Sequence, residues 1–312
     1  MEIQRKEDYR RLVLMAGLAS VSTAVIFILV KLGVWMLSAS TVIFASLTDS
    51  MFDMLASLVN FLALRYSLTP PDREHPYGHY KSQALASLAQ AAFIGGSAVL
   101  LVSHGIERCI NPRPVLHMDL AIYVSIFSII ATILLVLFQS YVCRLTRSEA
   151  IAADRLHYVS DILMNMGVLL ALCLSSLGYD FADGLFGSLI GILILKGAYS
   201  IGMKAVQTLL DRALNPGEVT AIMDSIIRVK GIKSIHGLKT HRAGPQVFIQ
   251  GHLVMDAKMP LNEAHELVNL VERNISELYT EADITLHMEP DEPATYEEED
   301  YPGCDFAAAG DE

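Results

Sequence analysis

Two stretches decide how this chain is read: Ser46-Leu47-Thr48-Asp49-Ser50-Met51-Phe52-Asp53 and Leu156-His157-Tyr158-Val159-Ser160-Asp161. Each carries a pair of metal-ligating side chains four residues apart, Asp49 with Asp53 and His157 with Asp161. Residues at i and i+4 share one face of an α-helix, so each pair projects together. Both stretches interrupt long apolar runs. A charged residue at mid-bilayer costs about 2.5–3.5 kcal/mol on insertion scales, so three carboxylates there need strong compensation. A bound dication supplies it. Three oxygens and one nitrogen suit a tetrahedral Zn²⁺ site with ligand distances of about 2.0–2.2 Å. The competing reading pairs the acids with intramembrane lysines such as Lys31 or Lys196, or sets them at helix ends. Ion pairing alone does not require a histidine between the acids.

The composition around these stretches is that of a membrane protein. Of 312 residues, 53% are hydrophobic and 18% charged, against about 25% charged in an ordinary soluble domain. Residues 12–30, 82–106 and 120–143 are each free of charge, and about 20 apolar residues suffice to cross a bilayer as helix. We read six spans, at about 12–37, 41–66, 82–108, 118–142, 149–177 and 183–209. Gly184, Gly187 and Gly191 thin the sixth and suit close helix packing in lipid. The basic N-terminus followed by an apolar run resembles a signal peptide, but the run is too long and further spans follow. Six spans put both termini on one side. Twelve basic residues fall on that side and two, Arg108 and Arg113, on the other, which places the termini in the cytoplasm.

After Asp211 the pattern changes. Residues 218–229 and 262–278 read as amphipathic helices, and 232–241, 246–255 and 283–288 as strands. The order α-β-β-α-β describes a small cytoplasmic α+β domain whose thin core calls for a partner subunit. The expected division is a transport domain over 1–211, a metal-binding and dimerisation domain over 212–290 and an acidic tail over 291–312. The formal charge of −11 belongs to the tail: residues 291–312 hold nine acids and no base. With few apolar residues and no periodicity, the tail reads as disordered, and nothing points to nucleic acid. The four cysteines form no CxxC pair, so neither a disulfide framework nor a thiolate zinc site is indicated.

Two further groups have ligand chemistry. Asp72, His75 and His79 follow the second span and offer one carboxylate and two imidazoles, enough for zinc with an open fourth position. An exposed loop that happens to carry two histidines is the equal alternative. In the C-terminal part, His236, His252, His265 and His287 each lie in a different element, with Glu289 after the last strand; singly, each is more often a surface or core residue.

The two opening stretches resemble the metal-binding helices of the cation diffusion facilitator family, close to its bacterial zinc/iron efflux branch, and the resemblance runs from about Leu12 to Pro290. It implies an α-helical membrane protein of six transmembrane helices with a metallochaperone-like cytoplasmic domain. It also implies a homodimer in the bacterial inner membrane that exchanges Zn²⁺ or Cd²⁺ for protons. The quartet of Asp49, Asp53, His157 and Asp161 is then the transport site. Asp72, His75 and His79 form a cytoplasmic-side loop site. His236, His252, His287 and position 289 ligate at the dimer interface, supported by His265, with Zn²⁺ as a bound regulatory ion. Lys81 and Asp211 match a charge interlock near the membrane surface, and Leu156 a position that closes the path. The branch usually has Asp where this chain has Glu289, and Gln where it has Met288. Fe²⁺, Co²⁺ and Mn²⁺ are alternative cargoes. An intramembrane hydrolase and a non-transporting metal sensor are less favoured: there is no HExxH, the glycine pattern near Asp183 is wrong for an aspartyl protease, and a sensor leaves the intramembrane acids unexplained.

Overall fold

The computed structural model describes residues 6–38, 41–110, 119–175, 182–279, 281–291 and 306–307. Two compact units result, one ending at Leu209 and one beginning at Leu210.

The first unit is six long helices: α1 (Lys6–Ser38), α2 (Thr41–Ser67), α3 (Ser82–Ile110), α4 (Asp119–Thr146), α5 (Glu149–Ser175) and α6 (Ala182–Leu209). Among the described residues, α1, α2, α3, α4 and α6 are long and apolar enough to cross a membrane. α5 has 27 residues, about 40 Å at 1.5 Å per residue, and packs against α3, α4 and α6. Its polar residues turn inward: Asp154, His157 and Ser160 are buried. The unit as a whole is apolar outside and polar inside. Leu29, Ile130, Leu134, Leu137 and Leu193 are exposed, whereas Ser20, Ser57, Asn60, Gln83, Gln90 and Gln139 are buried. That inversion suits a lipid solvent, in which only the interior can satisfy polar groups.

The α3–α6 contact depends on glycine. A Cβ at Gly184 would lie 2.5 Å from both Cys109 N and Gly105 O, and one at Gly105 would lie 2.6 Å from Ser188 N. The backbones therefore touch, as the glycine spacing in the sixth span predicts. At the α4–α5 corner, Arg147 adopts φ 53° and Ser148 Oγ accepts from Ile151 N, so the connection between the fourth and fifth spans is a tight two-residue turn. Residues 39–40, 111–118 and 176–181, between the other predicted spans, lie outside the described residues.

In the second unit, α7 (Pro216–Ile227) starts on Asn215, whose side chain accepts from Glu218 N, with Pro216 in the first turn. This is an N-cap with a proline where no amide hydrogen is needed. Three long strands follow the predicted order: β1 (Ser234–Ala243), β2 (Gln246–Met255) and, after α8 (Leu261–Ser276), β3 (Glu281–Pro290). β1 and β2 are antiparallel, while β3 lies parallel to β2, which requires a crossover that α8 supplies. Ile222, Ile226, Ile235, Ile249, Leu253, Val271 and Ile275 form a closed core. The sheet has a fourth strand that the sequence reading did not assign: β4 (Phe306–Ala307) pairs antiparallel with Ser234 and Ile235 on the β1 edge. Phe306 and Ala307 begin a short uncharged run at the end of the acidic tail, which can add to an open edge. The rest of the tail beyond Asp291, including Cys304, lies outside the described residues.

Replacement of Gly184 by Leu is expected to separate α3 from α6 and to lower the thermal midpoint of the purified protein in detergent by several degrees, read by size-exclusion after heating. Gly33→Ala, at a position with nothing within 4 Å, is expected to leave it unchanged.

Candidate metal centres

α2 and α5 present their acids to one cavity of about 600 Å³, lined by Lys31, Asp49, Asp53, His157, Asp161 and Asn165 among others. His157 Nε2 lies 3.2 Å from Asp53 Oδ1 and 3.9 Å from Asp161 Oδ2. Nε2 is buried without hydrogen-bond geometry to either. One ligand atom from each of Asp53, His157 and Asp161 lies within 4.8 Å of the other two, the spacing of atoms that share a central ion. Asp49 lines the same cavity but stands outside that close cluster. The expected four-ligand site is thus three convergent ligands with Asp49 four residues before Asp53 on α2, about 6 Å away along the axis.

The ring of His157 is held by its neighbours on α5. Tyr158 packs edge-on at 5.4 Å and its hydroxyl donates to Ser20 O on α1 at 3.1 Å. One turn before His157, the fully buried Asp154 accepts from Ser20 Oγ at 2.5 Å, Gln139 Nε2 at 2.8 Å and Gln90 Nε2 at 3.4 Å. Side chains of α1, α3 and α4 therefore converge on α5. Leu156 packs with Ile94, Ala98 and Ile194, three residues that line the cavity, and fills the notch at Gly197, whose Cβ would lie 2.9 Å from Leu156 Cδ1.

The loop group closes as the spacing allows. Asp72 Oδ1 accepts from the backbone N–H of Glu74 at 2.9 Å and of His75 at 2.7 Å. His75 Nδ1 lies 3.3 Å from Asp72 Oδ1 and His79 Nε2 3.4 Å from Asp72 Oδ2. The bond from the His75 backbone, joined by that from Glu74, holds the Asp72 carboxyl below the usual aspartate range. His79 is 5% exposed and meets the ring of Tyr66 edge-on and that of His75 at a tilt, each at 4.6 Å. The three ligand atoms lie close together, with Asp72 and His75 exposed and His79 buried.

In the second unit, strand register builds the third group. His236 is the cross-strand partner of His252, and His252 that of His287. The His236 and His252 rings stack at 5.1 Å, and those of His252 and His287 meet at 5.3 Å. Glu289 is two residues past His287, hence on the same face of β3. It bridges the row, with Oε2 2.8 Å from His236 Nε2 and Oε1 2.5 Å from His252 Nδ1. A bulge follows His236, where Gly237 takes φ 60°. His287 stands beside the three-atom cluster rather than in it, and His265 is exposed on α8, outside it. Met288 alternates to the opposite face and packs on the core, so the departure at that position serves burial. Partial burial pushes the Glu289 carboxyl up, but the bonds to His252 and His236 outweigh it and hold it below the ordinary glutamate range. Asp211, φ 55°, pairs with His241 Nε2 at 3.4 Å; Lys81 sits half-buried just before α3.

Sequence reasoning left two charged groups out of the sites: Lys31, inside the cavity, and Asp154, the node of the α5 network. The available signal was a charge within an otherwise apolar span.

The sequence matches the cation efflux transmembrane domain over residues 17–210 and the cation efflux protein cytoplasmic domain over residues 214–291. It is 43% identical to the cation-efflux pump FieF of Pectobacterium atrosepticum over 282 residues, 90% of this chain and 94% of that one. It is 44% identical to FieF of Serratia proteamaculans over 283 residues, 91% and 94% of the two chains. A solved structure of CzrB in its zinc form is 35% identical, covers 28% of this chain and 99% of that one, and superposes with a TM-score of 0.25.

Because Glu289 is depressed in the folded state, the stabilisation it gives is present above the unfolded glutamate pKa of about 4.3 and lost as pH falls through its folded value. Glu289→Gln is therefore expected to lower the thermal midpoint of the metal-free protein at pH 7, with the difference from the parent shrinking as pH falls below about 4.3.

Proposed function

The chain belongs to the cation efflux family of multi-pass membrane transporters, and we propose that it exports Zn²⁺ from the cytoplasm in exchange for protons. The observation that carries this reading is the buried His157 Nε2, 3.2 Å from Asp53 and 3.9 Å from Asp161. Two carboxylates and an imidazole, with Asp49 a turn away, supply the mixed oxygen and nitrogen set that zinc takes in tetrahedral geometry. A ligating histidine must be neutral and a ligating carboxylate ionised, so metal and proton compete for the same lone pairs. Loading on one side and protonation on the other then drive exchange. The same ligands accept Cd²⁺, and also Fe²⁺, Co²⁺ and Mn²⁺; zinc is preferred over iron and manganese by the general affinity order at nitrogen and oxygen sites.

The remaining features take roles in the same cycle. Both termini face the cytoplasm, following the basic residues at that end of the helices. The loop group of Asp72, His75 and His79 binds metal at the cytoplasmic mouth. Leu156, wedged at Gly197 beside the cavity, closes the path when α5 and α6 are packed. In the cytoplasmic domain over 212–290, metal held by His236, His252 and Glu289, with His287 adjacent, draws two copies of the chain together and biases the helices.

In proteoliposomes loaded with a zinc-sensitive dye, Asp53→Ala is expected to reduce Zn²⁺ uptake to the level of empty vesicles while the parent also moves protons with the metal. His157→Asp, a wholly oxygen set, is expected to shift preference from Zn²⁺ toward Mn²⁺. Parental zinc uptake by Asp53→Ala contradicts the reading.

A further inference from the structure

Lys31 lies on α1 within the apolar span of residues 7–37, and its ammonium enters the cavity that holds the acids. Nζ donates to Ser50 Oγ at 2.6 Å and to Ser46 O at 3.1 Å, both on α2. Ser50 is buried and sits between Asp49 and Asp53 in sequence. Asp49, Asp53 and Asp161 line the same cavity. Among the described residues that line the cavity, Lys31 is the one lysine or arginine facing these three carboxylates. Asp154 is not in that lining; its carboxylate is taken up by Ser20, Gln90 and Gln139.

Charge arithmetic gives this placement a meaning. Three carboxylates carry −3 and Lys31 carries +1, so the cavity with neutral His157 stands at −2, which one dication cancels. Without the lysine the same cavity stands at −3, and a bound dication leaves it one charge short. We propose that Lys31 is a tethered counter-cation that sets the valence of the transport site to two and limits how tightly the metal is held. The inference rests on the reading of the quartet as the transport site. Lys31 is held by α2 without occupying the metal position: its bonds go to Ser46 and Ser50, leaving the Asp53, His157 and Asp161 atoms convergent on one another. An ion that must leave again is served by a site of zero net charge. A site with residual negative charge binds it more strongly and releases it more slowly.

The test uses the full chain with the other two metal groups disabled by Asp72→Ala with His75→Ala and by His236→Ala with Glu289→Ala, so that Zn²⁺ titration reads the membrane site alone. Lys31→Met is expected to tighten Zn²⁺ binding by about tenfold, the effect of one unit charge a few ångström away in partly buried surroundings. It is also expected to slow zinc release from preloaded protein by a similar factor. Lys31→Gln, which keeps a donor for Ser46 and Ser50 but not the charge, follows Lys31→Met, and Lys31→Arg stays with the parent. Unchanged or weaker zinc binding in both uncharged variants, with binding still abolished by Asp53→Ala, overturns the role of Lys31 and leaves the transport reading standing. Zinc binding that Asp53→Ala does not affect overturns both.

Discussion

The structure depends on how ionisable side chains are kept inside a helix bundle that faces lipid. Carboxylates of α2 and α5 need positive charge or hydrogen-bond donors close by, because no solvent reaches them from the outer face. Two solutions coexist on α5. Asp154 is answered by donors from Ser20, Gln90 and Gln139. Asp161, seven residues later, shares a cavity with Asp49, Asp53, His157 and Lys31. The first solution is complete without a metal and ties α1, α3 and α4 to α5. The second keeps ligand atoms within reach of one another but not hydrogen-bonded. Asp154, held by donors, anchors the helix, while Asp161 shares its cavity with the orphaned His157 Nε2, the arrangement on which the proposed function rests.

The same contrast organises packing. The α3–α6 contact is made backbone to backbone at Gly105 and Gly184, and near the cavity small residues such as Ala98 and Ala198 leave room for Leu156. In the second unit, rigidity comes from the sheet. Histidines on adjacent strands are set side by side by register, so the His236, His252 and His287 row is as fixed as the backbone pairing that makes it.

Much of this was legible in the residues. The i, i+4 pairs at Asp49/Asp53 and His157/Asp161 identified inward faces because helical periodicity is strict. The order of helices and long strands followed from apolar runs. The parallel pairing of β2 with β3 was not legible, since strand direction depends on the crossover and not on the strands themselves. The β1 edge pairing of Phe306 and Ala307 was hidden because two residues carry no period. Asp49 looked equivalent to Asp53, yet only Asp53 comes level with His157; that difference comes from the axial offset of α2 against α5, which no spacing within one helix encodes. Lys31 and Asp154 were visible as charges in apolar spans, but their partners lie on other helices. Met288 stood out only as a departure from the branch's usual Gln until strand alternation placed it on the core.

Zinc K-edge absorption spectroscopy of the purified chain, with the loop and cytoplasmic groups disabled, tests the central claim most directly. The account predicts about one retained zinc per chain, with one imidazole nitrogen and otherwise oxygen ligands at about 2.0–2.2 Å, and loss of that zinc on Asp161→Asn. A chain that retains no zinc once the loop and cytoplasmic groups are removed, or a bound zinc with no imidazole in its coordination shell, contradicts it.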